Sequence, residues 1–455
     1  MTIVITGCGP MPCEPQFPVM APGARTWQIV QTCARALARS GTTPRIIVAA
    51  LEQQLRTGGN HAFDVVVPLD DTPSGPVCNV RYLPLTFDDF LAFGTGKATE
   101  VPMSDLPDDV TAVVATASSQ PCATGAALAQ RLGVPLWVDF FGDPFTEIQT
   151  KAASAPDQRS ENQTRLHHVW KLHLAAMLQG DFFSALSERQ RFALIGQLGA
   201  AGRLNRHTAP HDFVAALPFG LFASDIPARH GATRLPGTEF TAMWSGSFNT
   251  WMDVDALVGG LAQAVATNPR IRLLVVGGGI PNYHDDAFTR FCAGVKSAGV
   301  AHAVEMTGWQ PLSELRNLYP RCQVGMNVDR ASYEALLGSR TRIVQFLAEG
   351  KPVISTVVTE LSQELAGAGF VLPFELGNAT SLAEALVAAA ARQTDLRELG
   401  MQGREFVMKR FGAWQLGEKL GAWICAPHFS PDKIKGVAGG DDNPLTTFWR
   451  DRAGV

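Results

Sequence analysis

Residues Tyr333 to Ile354 read YEALLGSRTRIVQFLAEGKPVI, which joins a short loop to a helical run and then to a β-branched strand. Gly338 and Ser339 open the helical run, and Arg340 and Arg342 stand in its first turn. A serine cap, free backbone N–H groups, the positive end of the helix dipole and two guanidinium groups would meet there. The pattern predicts a diphosphate site. The plainer alternative is a capped surface helix with two solvated arginines.

Around this segment, β-branched runs alternate with helical patterns over most of the 455 residues, which is typical of parallel sheets with crossover helices. The runs form two series. The first series predicts strands at Thr2–Thr6, Arg45–Leu51, Phe63–Leu69, Val110–Thr116, Leu136–Phe141 and Phe182–Ser187. The second predicts strands at Phe240–Ser245, Ile271–Val276, Val304–Thr307, Val324–Val328 and Pro352–Thr356.

The two series predict two Rossmann-like, doubly wound α/β domains. We expect an N-terminal domain at residues 1–222, a linker at 223–237 that is rich in Pro, Arg, Gly and Asp, and a second domain at 238–411. Residues 412–455 are expected to form one amphipathic helix, Ala413 to Ile424, followed by an irregular tail. Such domains bind ligands at the carboxyl ends of their strands, so we expect a ligand in the cleft between them.

Composition excludes several classes of protein. Lys and Arg total 38 against 42 Asp and Glu, so no global positive field favours nucleic acid or an acidic membrane. No stretch reaches the ~20 apolar residues of a membrane span. The N-terminus has no basic flank or apolar run of a signal peptide, which predicts a cytoplasmic protein. The eight cysteines are scattered and indicate reduced thiols.

Three glycine-rich loops resemble parts of known phosphate-binding patterns. LLVVGGG at Leu273–Gly279 would let a backbone approach a ligand, although a tight turn explains it equally well. GCGPMPC at Gly7–Cys13 lacks the third glycine of a dinucleotide fingerprint, and GTGKAT at Gly94–Thr99 lacks the first glycine of a phosphate loop. The sequence therefore argues against NAD binding and ATP hydrolysis.

Two polar groups suggest metal binding but have simpler explanations. Asp253 and Asp255 resemble an Asp-x-Asp metal site, yet they begin a clear helical run, where acids are expected. His173 falls on the apolar stripe of its helix, whereas His167 and His168 face away. We therefore expect no metal site.

Segments in both halves of the chain resemble one known family. Ser339 to Pro352, preceded by Glu334 and by Gly308-Trp309-Gln310-Pro311, is similar to the donor-binding half of family 4 glycosyltransferases, and SGSFNTWMD at Ser245–Asp253 is similar to their second-domain entry loop. In the first half the resemblance rests on Ala21–Ala38, Val138–Glu147, Ser187–Arg203 and Pro218–Leu221. It implies the GT-B fold, with two domains facing each other across a cleft and the last helix crossing back to the first domain.

The resemblance also implies a reaction and its partners. A sugar would pass from a nucleotide diphosphate sugar, used as co-substrate without a cofactor or metal, to an acceptor hydroxyl with retention of configuration. The acceptor would be a glycan, a lipid-linked molecule or a small molecule bound mainly by the first domain. Contact with a membrane surface or a partner protein stays open.

Site residues follow by resemblance. Glu334, Arg342 and Asp139 are the implied catalytic residues, and Gly308 and Trp309 would hold the base. The implied donor-binding residues are Gly23, Arg25, Ser247, Trp251, Asp253, Gly279, Gly308, Trp309, Ser339, Arg340, Arg342 and Gln345.

The sequence departs from the family pattern at two points. Gln345 stands where a carboxylate normally binds the ribose, and the entry loop has Asn249, Trp251 and Asp253 where many members have an Arg and a Lys. The closer subgroup has a Trp-x-Asp loop and an Arg-Thr-Arg helix. Arg340 and Arg342 would then stabilise the leaving diphosphate, with Glu334 in the loop before the helix on the donor sugar. Two alternatives remain, a GT-B sugar-nucleotide epimerase and a catalytically idle scaffold subunit.

Overall fold

The first half of the chain forms an α/β unit around one sheet. The computed structural model describes residues 1–52, 62–72, 74–96, 106–154, 159–223, 226, 239–280 and 286–435. Within these ranges the strands of the first sheet are β1 (Thr2–Gly9), β2 (Arg45–Glu52), β3 (Phe63–Pro68), β4 (Val77–Leu85), β5 (Val110–Ala115), β6 (Leu136–Phe140), β7 (Phe182–Ala185) and β8 (Val214–Ala216). Their order is β3-β4-β2-β1-β5-β6-β7-β8, and only the edge strand β3 is antiparallel to its neighbour.

The second half forms a parallel sheet of its own. Its strands are β9 (Phe240–Ser247), β10 (Ile271–Gly278), β11 (Val304–Gly308), β12 (Val324–Asn327), β13 (Val353–Ser355) and β14 (Val371–Pro373), in the order β11-β10-β9-β12-β13-β14. The predicted architecture of two doubly wound units is thereby confirmed. Three strands were not predicted: β4, which contains Pro84, and the three-residue strands β8 and β14.

Helices cover both faces of each sheet. The first half has α1 (Ala21–Arg39), α2 (Phe87–Thr95), α3 (Ser119–Leu132), α4 (Pro144–Ser154), α5 (Arg159–Gln179) and α6 (Glu188–Ala200). The second half has α7 (Val254–Thr267), α8 (Asp286–Ser297), α9 (Leu312–Leu318), α10 (Tyr333–Leu337), α11 (Thr341–Ala348), α12 (Glu360–Gly367), α13 (Ala379–Ala391) and α14 (Gln393–Arg410), with short 3-10 turns at Ala301–Ala303 and Tyr319–Arg321. The chain then ends its described part with α15 (Ala413–Leu416), α16 (Glu418–Cys425) and α17 (Pro431–Ile434).

Some sequence predictions fall outside the described residues. Most of the predicted linker does, at positions 224–225 and 227–237, and so do residues 97–99 of the GTGKAT segment. Among the helices that the structure describes, none combines the length and the apolar character that crossing a bilayer requires.

The last helices return to the first domain, as the resemblance implied. α16 packs on α1, and the ring of Trp423 meets that of Trp137 edge-on at 5.6 Å between centroids. The predicted single helix at Ala413–Ile424 is instead two helices, divided at Gly417. A Cβ on Gly417 would lie 2.5 Å from Cγ2 of Thr32, so the glycine lets the chain approach α1 closely.

The start of the tail is ordered, not irregular as expected. The fully buried Arg203 donates from Nε to Oδ2 of Asp432 at 2.7 Å, and from Nη2 to Oγ of Ser430 at 3.0 Å. Lys433 in turn pairs with the buried Asp181 at 2.9 Å. These buried charges tie α17 to the first domain. Residues 436–455 lie outside the described part of the chain.

The packing of α16 predicts the effect of removing its tryptophan. Trp423→Ala should lower the free energy of unfolding of the first domain by about 3–5 kcal/mol, because the large side chain is buried and leaves a cavity. The matched control is Trp170→Ala on α5, where the side chain is 39% exposed and the loss should be much smaller. Denaturant unfolding followed by near-ultraviolet circular dichroism measures both. Equal losses would contradict the crossing of α16 into the first core.

Candidate active site

Loops at the carboxyl ends of both sheets meet across one cleft. Backbone N–H groups of Leu312 and Ser313, at the start of α9, donate to carbonyls of the β1–α1 loop at 3.0 Å each. On the other side, the carboxylate of Glu360 accepts from the backbone N–H groups of Glu188 and Arg189 at 3.2 and 3.0 Å. Between these contacts, α10 of the second domain packs against α4 and α6 of the first. The cleft is therefore enclosed by both domains.

The arginine helix begins differently from the prediction. α11 starts at Thr341 with Arg340 at the cap position and no side-chain capping bond, so the predicted cap by Ser339 is wrong. A separate short helix, α10, precedes it and is capped by Ser332, whose hydroxyl accepts from the backbone N–H of Ala335 at 3.0 Å. Glu334 thus lies in α10, not in a loop as expected. Ser339 lies in the turn between the two helices and is partly exposed.

Arg340 is buried between two carboxylates. Its Nη1 and Nη2 donate to the two oxygens of Glu334 at 2.9 and 2.7 Å, and its Nε donates to Oδ1 of Asp329 at 2.5 Å. These two acids raise the pKa of the guanidinium, although burial opposes them. The charge of Arg340 is therefore matched within the protein. Its geometry is that of a group that positions the α10–α11 turn.

The guanidinium of Arg342, unlike that of Arg340, remains available to a ligand. Its Cζ stands 3.8 Å from the ring centroid of Trp244, and its buried Nη1 has no hydrogen-bond partner among the described residues. Burial and the neighbouring charge of Arg340 lower the pKa of Arg342 to about 10, so the group is still cationic at neutral pH. An unpaired buried N–H is costly, and an anion in the cleft would satisfy it.

Glycine turns lie beside Arg342 at the ends of β9 and β10. Gly246 has φ +111°. It faces Arg342, because a Cβ on Gly246 would lie 3.8 Å from Nη2 of Arg342. Gly277, at φ +108°, packs so closely that a Cβ would lie 2.3 Å from the carbonyl oxygen of Gly246. Gly278 pairs with Ser247 in the sheet. The predicted Ser247 is thus brought to the same strand ends as Arg342.

The predicted base-binding residues meet at the ends of β10 and β11. The indole Nε1 of Trp309 donates to the carbonyl oxygen of Gly279 at 2.8 Å, and Gly308 has φ +69°. Gln345 lies one turn into α11, is partly exposed, and its side chain makes no hydrogen bond within the described residues.

Of the entry-loop residues, Trp251 lies beside Arg340, whereas Asp253 lies at the start of α7. The Trp251 ring lies 5.9 Å from Cζ of Arg340, and Asp253 caps α7 by accepting from the backbone N–H of Ala256 at 2.9 Å. Asp255 pairs with Arg290 at 2.8 Å. No group of three or more His, Cys, Asp or Glu residues in the described ranges is arranged to hold a metal ion.

The first-domain predictions form a buried cluster below the cleft. The carboxylate of Asp139 binds Arg25 through both oxygens, at 2.6 and 2.8 Å, and also accepts from the hydroxyls of Thr116 and Ser184 at 2.6 Å each. Asp139 and Arg25 are both fully buried. Gly23 packs against the β1–α1 loop. The structure brings these three residues near one another but not to the open part of the cleft.

Glu147 is a cleft residue that the sequence analysis did not select. It lies in the first turn of α4, with Oε1 2.5 Å from where a Cβ on Gly142 would be. Its partly exposed carboxyl group makes no hydrogen bond or ion pair to any described residue. Burial, followed by the charges of Glu334 and Asp143, raises its pKa to about 8, against the opposing effect of Arg340. An acid early in a helix is common, so the sequence carried no distinguishing signal.

Comparison with known proteins identifies the class. Residues 239–392 match the family described as "Glycosyl transferases group 1". Sucrose-phosphate synthase from Thermosynechococcus elongatus is 18% identical with a TM-score of 0.63, covering 92% of this chain and 97% of that one. HepE of Anabaena, solved with UDP and glucose, is 15% identical with a TM-score of 0.61, covering 94% and 100%. WaaG, a glycosyltransferase of lipopolysaccharide biosynthesis, is 13% identical with a TM-score of 0.58, covering 94% and 100%. No curated protein matches the chain.

The fold and the family match define a glycosyltransferase. The neighbours establish the GT-B fold, and residues 239–392 match the glycosyl transferases group 1 family. The GT-B fold and the glycosyltransferase class that the resemblance implied are confirmed.

The environment of Glu147 predicts a pH-dependent stability. A carboxyl group ionises near pH 4.5 in the unfolded chain but near pH 8 in the folded protein, so the folded state holds an extra proton between these values. Stability therefore falls across this window as pH rises. Glu147→Gln removes that loss, and its melting temperature should match wild type near pH 5 and exceed it near pH 8. Differential scanning calorimetry checks this, with the exposed Glu161→Gln as control. A constant offset at both pH values would contradict the environment described here.

Proposed function

We propose that the protein transfers a sugar from a nucleotide diphosphate sugar to an acceptor hydroxyl, with retention of configuration. The observation that carries the proposal is Arg342, a cationic guanidinium with an unpartnered buried N–H beside the glycine turns at Gly246 and Gly277. Guanidinium and glycine backbone together suit diphosphate oxygens, and positive charge fixed there stabilises the leaving group as its charge develops.

The other donor contacts follow from this position of the diphosphate. Gly308 and Trp309 would hold the base, and Gln345 would hydrogen-bond the ribose hydroxyls. Arg340 would position Arg342 and Glu334 without touching phosphate, since both its carboxylate partners already occupy it. Trp251 lies beside Arg340 and Asp253 caps α7, which is consistent with the subgroup that has a Trp-x-Asp loop and an Arg-Thr-Arg helix.

The remaining parts of the proposal concern partners. We infer that the first domain holds the acceptor, and that Asp139 acts by fixing its strand ends. HepE of Anabaena was solved with UDP and glucose, which supports UDP-glucose as the first donor to test. A cytoplasmic location, metal-independent chemistry, and contact with a membrane surface or a partner protein stay predictions of the sequence.

Turnover of nucleotide sugars tests the proposed function. Purified protein incubated with a panel of nucleotide sugars and hydroxyl acceptors should release nucleotide diphosphate and form a product whose anomeric configuration, read by NMR, matches the donor. Release should persist in excess EDTA, because Arg342 supplies the positive charge that a metal ion would otherwise supply. Conversion of the donor sugar without release would favour an epimerase, and no turnover of any donor would favour an idle scaffold. Activity lost with EDTA and restored by manganese would refute the metal-independent part.

Arg342 itself is tested by nucleotide binding. Arg342→Ala should weaken the binding of UDP by about 1.5–3 kcal/mol, the loss of a charge-assisted hydrogen bond, while the fold is kept. Titration calorimetry measures the affinity. The matched control is Arg290→Ala, which removes an arginine of the same domain that pairs with Asp255 at its surface. An unchanged affinity in the Arg342 variant would remove the assignment.

A further inference from the structure

We propose that the carboxyl group of Glu147 contacts a hydroxyl of the transferred sugar, so that the first domain supplies part of the donor-sugar site. This inference rests on the proposed function. It assigns a specificity-determining contact to α4 of the first domain, the domain that the resemblance associates mainly with the acceptor.

The position of Glu147 supports this assignment. Three residues separate the end of β6 from α4, which packs against α10, the helix that carries Glu334. Glu147 lies close enough to this helix for the charges of Glu334 and Arg340 to affect its pKa. Asp143 fixes the start of α4, since its Oδ1 accepts from the backbone N–H of Thr146 at 2.8 Å and its Oδ2 accepts from the amide of Gln197 at 2.6 Å. The Glu147 side chain is therefore held on an ordered turn, while its own carboxyl oxygens have no protein partner within the described ranges.

The charges around the cleft divide it into two regions. Arg340 faces Glu147 but is already neutralised by Asp329 and Glu334, whereas Arg342 keeps an unpartnered N–H. A diphosphate would be repelled by the acids and attracted to Arg342. An uncharged, hydroxyl-rich group fits the acidic region, because a carboxyl group can both donate to and accept from hydroxyls. A nucleotide sugar whose diphosphate lies on Arg342 thus places its sugar toward Glu334 and Glu147.

The state of Glu147 at neutral pH follows from its neighbours. The groups facing it are Asp143 on its own segment, Glu334 and Arg340 from the second domain, and, on the packed helix α5, His173, whose ring contacts Phe145 of α4. Burial lowers the pKa of His173, so that ring adds no positive charge. Glu147 is then largely protonated at pH 7 and ionises near pH 8. A neutral carboxyl group can donate a hydrogen bond to the sugar, and the ionised form cannot.

Binding of UDP-glucose and of UDP separates a sugar contact from a structural role. In titration calorimetry at pH 7, Glu147→Ala should lose about tenfold in affinity for UDP-glucose, the value of one hydrogen bond, and less than about twofold for UDP. Glu147→Gln keeps a neutral donor and should recover most of the loss. Wild-type affinity for UDP-glucose, but not for UDP, should fall between pH 7 and pH 9, and the Gln variant should lack this fall. Gln149→Ala, on the exposed side of α4, is the matched control.

The outcomes are distinct. Equal losses for both ligands in Glu147→Ala, or no rescue by Glu147→Gln, would show a structural role and overturn the inference. Affinity for UDP-glucose that rises with pH would also overturn it, because the ionised carboxylate would then be the binding form. If wild type binds neither UDP nor UDP-glucose in this series, the UDP-glucose form of the proposed function fails and this inference fails with it. Normal wild-type binding with unaltered variants overturns this inference alone.

Discussion

Burying a guanidinium is costly unless carboxylates pair with it, and each domain holds one such paired guanidinium at the carboxyl end of its sheet. In the first domain, Asp139 at the end of β6 binds Arg25 of α1 at 2.6 Å. In the second, Arg340 bridges Asp329 and Glu334 at 2.5 and 2.7 Å. The first cluster joins the end of β6 to α1, and the second holds together the connection between β12 and α11, so both walls of the cleft are fixed by the protein's own hydrogen bonds. Removing one partner would leave an uncompensated buried charge.

The consequence for the cleft is a separation of charge. Since the acids of the second domain occupy Arg340, the arginine two residues later is left facing the glycine turns of β9 and β10. One region of the cleft thus offers cationic and backbone donors, and the other offers carboxyl groups from both domains. This polarity orients an elongated ligand that is anionic at one end and hydroxylated at the other. It arises from the order of charges around one short turn, Leu337 to Arg342.

Much of the fold could be predicted because buried parallel strands are β-branched runs of ordinary length. Strands that are short or contain proline lack such a run, and strands such as Val77–Leu85 were therefore not predicted. The site was harder to predict. The pattern Arg340-Thr341-Arg342 indicates two equivalent phosphate ligands, and only the folded path of the β12–α11 connection reveals that Asp329 and Glu334 bind one of them. Arg25 and Asp139 were assigned to the site because their segments resemble those of the family, yet in the structure they pair with each other. The ordered tail depends on a pair, Arg203 and Asp432, separated by more than 200 positions, which no local pattern can reveal.

The return of α16 and α17 to the first domain also sets the order in which the molecule can fold. Trp423 belongs to the same core as β1, so the first domain receives its final core residues only after the whole second domain has been synthesised. During synthesis, part of α1 stays uncovered until α16 has been made. The buried core of the second domain lies within residues 240–411, so all of its residues have been made before α16. The amino-terminal half is thus made first and completed last, and chain closure over this long separation is a slow step in folding.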